Sequence, residues 1–407
     1  MNVDELRWVE RAVVLKRGQV AATLVRRMDS IRFEYDEEYL SGGGPPVATT
    51  LPLTTQPVVT HAPGALPPFF SGLLPEGRRL SALRSAVKTS ADDELTLLLA
   101  VGGDAVGDVR VIPDGETSAD VPPRVAVSDW ADVRFHDLLT ASVGGSAMID
   151  RVAIPGVQDK VSASVINVPV ARASSRFMLK LDPPEFPHLV VNEAFFLEAA
   201  RRSGVPAAEA EIVRDADETP GLLVKRFDRV PGRERGVMEL AQEDGCQVLG
   251  RYPADKYRVT TEAVVGALSG VCRAQPVAAL TLLKQFAFAY LTCNGDAHAK
   301  NFSVVRVRPD EWRVSPAYDV PTSYVYDDHT MALTLNGRIK EDIGREDFIA
   351  LGEAVGVRGA AVMHALDELC ERADLWIGDL SRVPFGEGRV RKLRRAIEYR
   401  RRRLSGR

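Results

Sequence analysis

In the stretch "CNGDAHAKNFSVV", residues 293–305, an Asp, a His, a Lys and an Asn stand close together directly after a long apolar segment. Asp296 precedes Asn301 by five positions, and a second acid, Asp319, follows Asn301 after 18 more. Turn formation accounts for Asn294 and Gly295, which offer the left-handed exit a helix takes at its C-terminus. It does not require an acid at 296, an amide at 301 and another acid at 319. Phosphoryl transfer does. In protein kinases a catalytic-loop Asp accepts the hydroxyl proton, an Asn five positions later holds magnesium, and an Asp beyond two strands binds metal between the phosphates. Magnesium is a hard cation that selects oxygen and keeps few protein ligands, which suits Asn301 and Asp319.

A D-x4-N match alone is common; the order of parts upstream gives it weight. A glycine loop, "IPGVQDK" at 154–160, lies between strand-like runs, Lys180 ends "RFMLK", and Glu193 opens a helix. These are the parts of a kinase small lobe: backbone amides facing phosphate, a strand lysine for the phosphates, and a helix glutamate that orients the lysine. Taken singly each has a plainer use, Lys180 as a strand-edge solvent residue, Glu193 as a first-turn dipole partner and Gly156 as a turn glycine.

Several elements must bring these residues together. "PVAALTLLKQFAFAYLTCNG" starts with Pro276, tolerated in a first turn, and is apolar nearly all round, so it predicts a buried helix ending before Asp296. "NFSVVRV" and "EWRVSP" predict a hairpin that returns the chain to Asp319. "VVNEAFFLEAARRSGVP" predicts a helix capped at Asn192 and leaving at Gly204. "KVSASVINVPV", "RFMLKLD", "AEAEIVRD" and "PGLLVKRFDRV" read as strands, and the chain beyond about 240 as mainly helical. Residues 1 to about 120 form a further mixed unit with Gly/Pro-rich connections, and the breaker-rich "PDGETSADVPPR" at 113–124 marks a boundary. The expectation is a mixed α/β (α+β) two-lobed protein-kinase-like fold: an N-terminal subdomain at 1–120, a strand-rich small lobe at 121–235 and a helical catalytic lobe at 236–407.

The 407 residues exceed what one core usually serves, and 27% charged with 45% hydrophobic residues is a globular balance. A net charge of -4 and a pI near 6.0 make no overall case for nucleic acid as the main ligand. The basic C-terminal stretch "GRVRKLRRAIEYRRRRLSGR" reads as the solvated face of a last helix and a frayed tail, with an acidic partner or nucleic acid as the other reading. Cys246, Cys272, Cys293 and Cys370 lie far apart, which suggests neither disulfides nor a zinc site and fits a reducing cytoplasm. No segment reads as a signal peptide or a membrane span.

"IPGVQDK", "LLVKRFDR", "QEDGCQVLG", "PADKY", "NGDAHAKNFSV" and "SPAYDV" together resemble the HipA family, serine/threonine kinase toxins of HipBA toxin-antitoxin modules; "FSGLLPEG" and "VGGDAVGDV" resemble that family's N-terminal subdomain. The resemblance covers nearly the whole chain. It implies an ATP- and magnesium-dependent kinase with Asp296 as catalytic base, Asn301 and Asp319 on magnesium, and Lys180 on an ATP phosphate. It further implies a nucleotide site from Ile154, Pro155, Gly156, Val157, Gln158, Asp159 and Lys160, with Lys225, Arg226 and Phe227 as a hinge near adenine and Tyr318 beside Asp319. His298 is read either as a loop histidine bonded to backbone or as an ATP contact. Asp228 and Arg229 read as a structural ion pair, and Gln242, Glu243 and Asp244 as a polar turn bordering the site.

The implied acceptor is a protein hydroxyl, on an aminoacyl-tRNA synthetase (glutamyl-type in the best-known case). The implied partner is a small helix-turn-helix antitoxin of the HipB type, with DNA reached only through it. The family's autophosphorylated serine, three positions before the loop glycine, is Ala153 here, so self-limitation falls to Ser142, Ser146, Ser162 or an outside partner. Pro155 and Val157 are a second departure that leaves Gly156 available. Two other readings stay open: a small-molecule kinase of similar layout, and a nucleotide-binding subunit acting through a DNA-binding antitoxin.

Overall fold

The computed structural model describes residues 3–61, 64–101, 105–116, 125–126, 129–137, 166–172, 175–183, 185–232, 236–339 and 342–406. The loop 154–160, Ala153, Ser142, Ser146 and Ser162 lie outside the described residues.

The first unit is an antiparallel sheet. The strands Arg11–Lys16 and Gln19–Arg26 are joined at Arg17 and Gly18, both with positive φ, as a tight hairpin requires. Ile31–Tyr35 and Val58–Thr60 extend the sheet on one side and Val109–Pro113 closes the other. Alternation in Ile31–Tyr35 turns Ile31, Phe33 and Tyr35 inward, where they pack with Leu24, Phe70 and Leu98.

A second sheet takes the order Val125–Ala126, Ile166–Arg172, Ser175–Leu181, Pro220–Lys225, Ala210–Arg214. Its strand Pro220–Lys225 is covered on both faces: Leu223 joins a small cluster with Phe135 and Leu179, while Leu222 and Val224 join the large core. Double coverage explains the unbroken apolar run "GLLV" where a half-exposed strand would alternate.

The large core gathers the helices Leu189–Arg202, Thr261–Gly270, Gln275–Leu291, Arg345–Ala354, Gly359–Arg372 and Glu387–Ser405. Gln275–Leu291 lies at its centre, with Leu282, Phe286, Ala287 and Tyr290 buried, as its apolar circumference predicts. The hairpin Ser303–Arg308 with Glu311–Val314 also stands where expected.

Four local expectations are corrected. The Leu189–Arg202 helix starts three residues before Asn192, because the Asp182 carboxylate accepts the His188 and Val190 amides at 2.8 and 2.7 Å and meets the first-turn donors. Asn192 is thereby released from capping. The left-handed residue after Gln275–Leu291 is Cys293 (φ 58), not Asn294 or Gly295. Gln242–Asp244 is a strand paired with Ser303–Val305 rather than a turn. Finally, the C-terminal helix continues to Ser405, anchored by buried Leu393, Ile397, Arg400 and Leu404, so the expected frayed tail is helix.

Candidate active site

Lys180 lies next to the end of its strand and points into the interior, where the strand-edge solvent use does not apply. Its ammonium donates to both oxygens of Glu193 at 2.7 and 2.8 Å and to Asp319 Oδ1. Burial alone would pull the lysine pKa down, but Asp319 and Glu193 outweigh it and hold the value above normal, so the ammonium stays charged. Glu193 is itself buried in the first turns of Leu189–Arg202. Strand, helix and post-hairpin segment thus meet on one cation.

The helix keeps this register through Asn192. Its Nδ2 donates to the Thr322 carbonyl at 2.9 Å and its Oδ1 accepts the Thr322 amide at 3.1 Å. A buried amide therefore fastens the helix bearing Glu193 to the segment three residues after Asp319.

Asp319 adopts φ 52, a left-handed conformation that costs energy for a non-glycine residue. Its carbonyl is held there by the side-chain amides of Asn294, at 3.2 Å, and Asn301, at 3.5 Å. Asn301 Nδ2 also donates to the Asp296 carbonyl at 3.1 Å, so one amide ties the catalytic-loop candidate to the second acid. With Nδ2 engaged on carbonyls, Oδ1 is the metal-binding atom Asn301 has to offer. The Asp319 side chain is one-third exposed (33%), so Asn301 and Asp319 supply hard oxygen donors from opposite sides of the hairpin. This donor set fits a magnesium ion.

Asp296 is buried, and its Oδ1 accepts the Tyr257 hydroxyl at 2.6 Å. Its amide donates to Asn294 Oδ1 at 3.1 Å, and the Gly295 amide to Ser323 Oγ at 2.8 Å. A Cβ on Gly295 would come within 2.7 Å of Ser323 Oγ and 2.8 Å of the Thr330 carbonyl, so this approach requires glycine. His298 is buried edge-on to Tyr257, ring centres 5.1 Å apart, and its Nδ1 makes no hydrogen bond among the described residues. Burial, then Lys256 and Lys300, push its pKa well below the usual value and keep the imidazole neutral.

The expected hinge residues are distributed differently. Phe227 packs beside Tyr318, ring centres 5.7 Å apart, while Lys225 pairs at the surface with Glu209 at 2.8 Å. Arg226 turns inward: its guanidinium binds Asp228 at 3.0 and 2.7 Å and the Ala105 carbonyl at 3.0 Å. Its side chain is thus committed to the junction with the N-terminal unit. Arg229 completes the expected ion pair with Asp228 at 2.7 Å.

The sequence points to no part for Tyr257 or Lys300, and to a helix exit for Asn294, although all three lie inside the motifs singled out above. Their tasks depend on partners far along the chain, and a single sequence carries no signal for those.

Two family models match the chain, the HipA-like C-terminal domain over residues 152–377 and the HipA N-terminal domain over residues 12–112. The serine/threonine-protein kinase toxin HipA of Shewanella oneidensis is 28% identical over 328 residues, covering 75% of this chain and 73% of the relative. The Sinorhizobium fredii protein Y4mE is 29% identical over 331 residues, covering 77% of each chain. Among solved structures, the Shewanella oneidensis complex of HipA, HipB and operator DNA aligns with a TM-score of 0.78 at 21% identity, over 97% of both chains.

Proposed function

This chain belongs to the HipA-like family, and from that premise we propose that it is an ATP- and magnesium-dependent kinase that phosphorylates a serine or threonine hydroxyl of a protein. The observation that carries the reading is the convergence of Lys180, Glu193 and Asp319, with Asn301 bridging from Asp319 to Asp296. Bound magnesium and ATP supply the phosphoryl group and the charge that offsets its negative oxygens. Asn301 Oδ1 and the Asp319 carboxylate are the protein groups to hold the metal. Lys180, fixed by Glu193, would present its positive charge to the phosphates of a bound nucleotide. Asp296 orients the acceptor hydroxyl and receives its proton on the carboxylate. The buried surroundings strengthen each of these charges relative to water.

Gly156, Gln158 and Lys160 are assigned to nucleotide binding in this reading, with Phe227 and Tyr318, which pack side by side. The physiological setting follows the kinship with a kinase toxin: an aminoacyl-tRNA synthetase as acceptor and a HipB-type antitoxin as partner, through which DNA is met.

The test is label transfer from γ-32P-ATP to proteins of a cell extract, beside the same assay on pooled metabolites. Asp296→Asn is expected to lower transfer by about 10²- to 10⁴-fold with ATP binding retained. Undiminished transfer, or label entering small molecules instead, refutes the assignment.

A further inference from the structure

The catalytic loop is held partly from outside its own lobe. Lys300, beside Asn301, sends its ammonium to the Gly72 carbonyl at 3.1 Å and to Asp244 Oδ2 at 2.9 Å, with Glu76 Oε1 at 3.6 Å. Glu76 pairs in addition with Lys256. Gly72 and Glu76 both belong to the N-terminal unit, within "FSGLLPEG".

Lys256 passes this contact to the loop in two ways. Its carbonyl accepts the Ala299 amide at 3.1 Å. Its ammonium lies 5.3 Å from the centre of the Tyr257 ring, whose hydroxyl donates to Asp296 at 2.6 Å. Both lysine side chains are only 12% exposed. Buried ammonium groups need a carboxylate between them, since unpaired charge in such a place is strongly unfavourable. Glu76 meets that need, lying against both ammonium groups, while Asp244 takes the other side of Lys300.

The surrounding surfaces leave no slack. A Cβ on Gly72 would approach Gln247 Cγ to 2.7 Å, and one on Gly245 would reach the Ala299 carbonyl at 2.7 Å. Gln247 Nε2 also donates to the Phe69 carbonyl at 2.9 Å.

We propose that Glu76 of the N-terminal unit is a positioning residue for Asp296, acting through Lys256 and Tyr257 on one side of the catalytic loop and Lys300 on the other. This rests on the reading of Asp296 as the base. Asn301 links Asp319 to Asp296, but Lys180, Glu193 and Asp319 are also joined directly to one another, and Asn192 holds their helix to Thr322, by contacts in which the brace takes no part. Loosening the brace therefore lowers turnover and leaves nucleotide affinity in place, because a small displacement of a reacting group slows a reaction steeply.

The experiment uses the full chain, γ-32P-ATP and a fixed cell extract as acceptor, with rates followed against ATP concentration and ATP binding measured separately. Glu76→Gln keeps shape and removes charge; it is expected to lower the maximal rate by about 10- to 100-fold. The ATP KM and Kd then stay within about twofold of the native values. Tyr257→Phe keeps the ring and is expected to show the same split. Full activity in Glu76→Gln, or a loss of ATP affinity matching the loss of rate, overturns the proposal. If Glu76→Gln fails to fold, Tyr257→Phe decides by the same criteria. Native transfer that Asp296→Asn abolishes but Glu76→Gln and Tyr257→Phe leave intact overturns the brace alone. A native protein that binds ATP and transfers no label overturns both readings.

Discussion

Lys180 gathers two carboxylates from two other segments, and its removal exposes what each partner needs. Lys180→Met leaves Glu193 buried without its cation, and removing one partner of a buried ion pair costs about 3–5 kcal/mol. Label transfer from ATP should be lost together with that stability, which urea unfolding reads. Asn192 acts by geometry rather than charge. Asn192→Leu, similar in size, leaves the Thr322 amide and carbonyl without their partner and is expected to cost about 2–4 kcal/mol, again by urea unfolding. Asn192 looks like a helix cap in the sequence. Its real use was hidden because its partner lies 130 residues away.

The helix Gln275–Leu291, the loop that follows it and the hairpin 303–314 work as one unit. The helix is legible as a buried apolar cylinder and the hairpin as two strands about a short turn, so their union near Asp296 and Asp319 could be anticipated. The exit between them could not. Cys293 carries the left-handed turn that Asn294 and Gly295 would ordinarily supply, which releases Asn294 to hold the Asp319 carbonyl and Gly295 to approach Ser323. Gly295→Ala is expected to displace the loop, since its Cβ would meet Ser323 Oγ and the Thr330 carbonyl well inside contact distance. Label transfer should fall by about 10²-fold while circular dichroism stays native.

At the scale of the molecule, the N-terminal unit is locked to the rest through buried charge. Asp228 receives Arg226, Arg229 and the Gly107 amide, while Ala105 and Gly107 carbonyls accept the two guanidinium groups. Burial alone would raise the Asp228 pKa, but Arg226 and Arg229 hold it down at about 2. A carboxyl depressed on folding stabilises the protein above its unfolded value, near 3.9, and that contribution is lost as pH falls through the folded value. Acid should therefore loosen this junction between about pH 4 and pH 2. Asp228→Asn should be less stable by about 3–5 kcal/mol at neutral pH and show a smaller change across that acid window, followed by fluorescence on acid titration. Among the described residues no helix is long and apolar enough to cross a membrane.

What the sequence determined by itself was order and local chemistry: a strand lysine, a helix glutamate, an acid and amide five apart, a hairpin and a second acid, together with the resemblance those motifs carry. Periodicity and residue type are local properties, and they survive reading in one dimension. Tertiary structure alone decided which charges share a partner. It committed the Arg226 guanidinium to Asp228 and the Ala105 carbonyl, made a strand of Gln242–Asp244, and set Glu76 between Lys256 and Lys300. Pairings of that kind join residues far apart in the chain, and they exist only once packing has excluded water from between them.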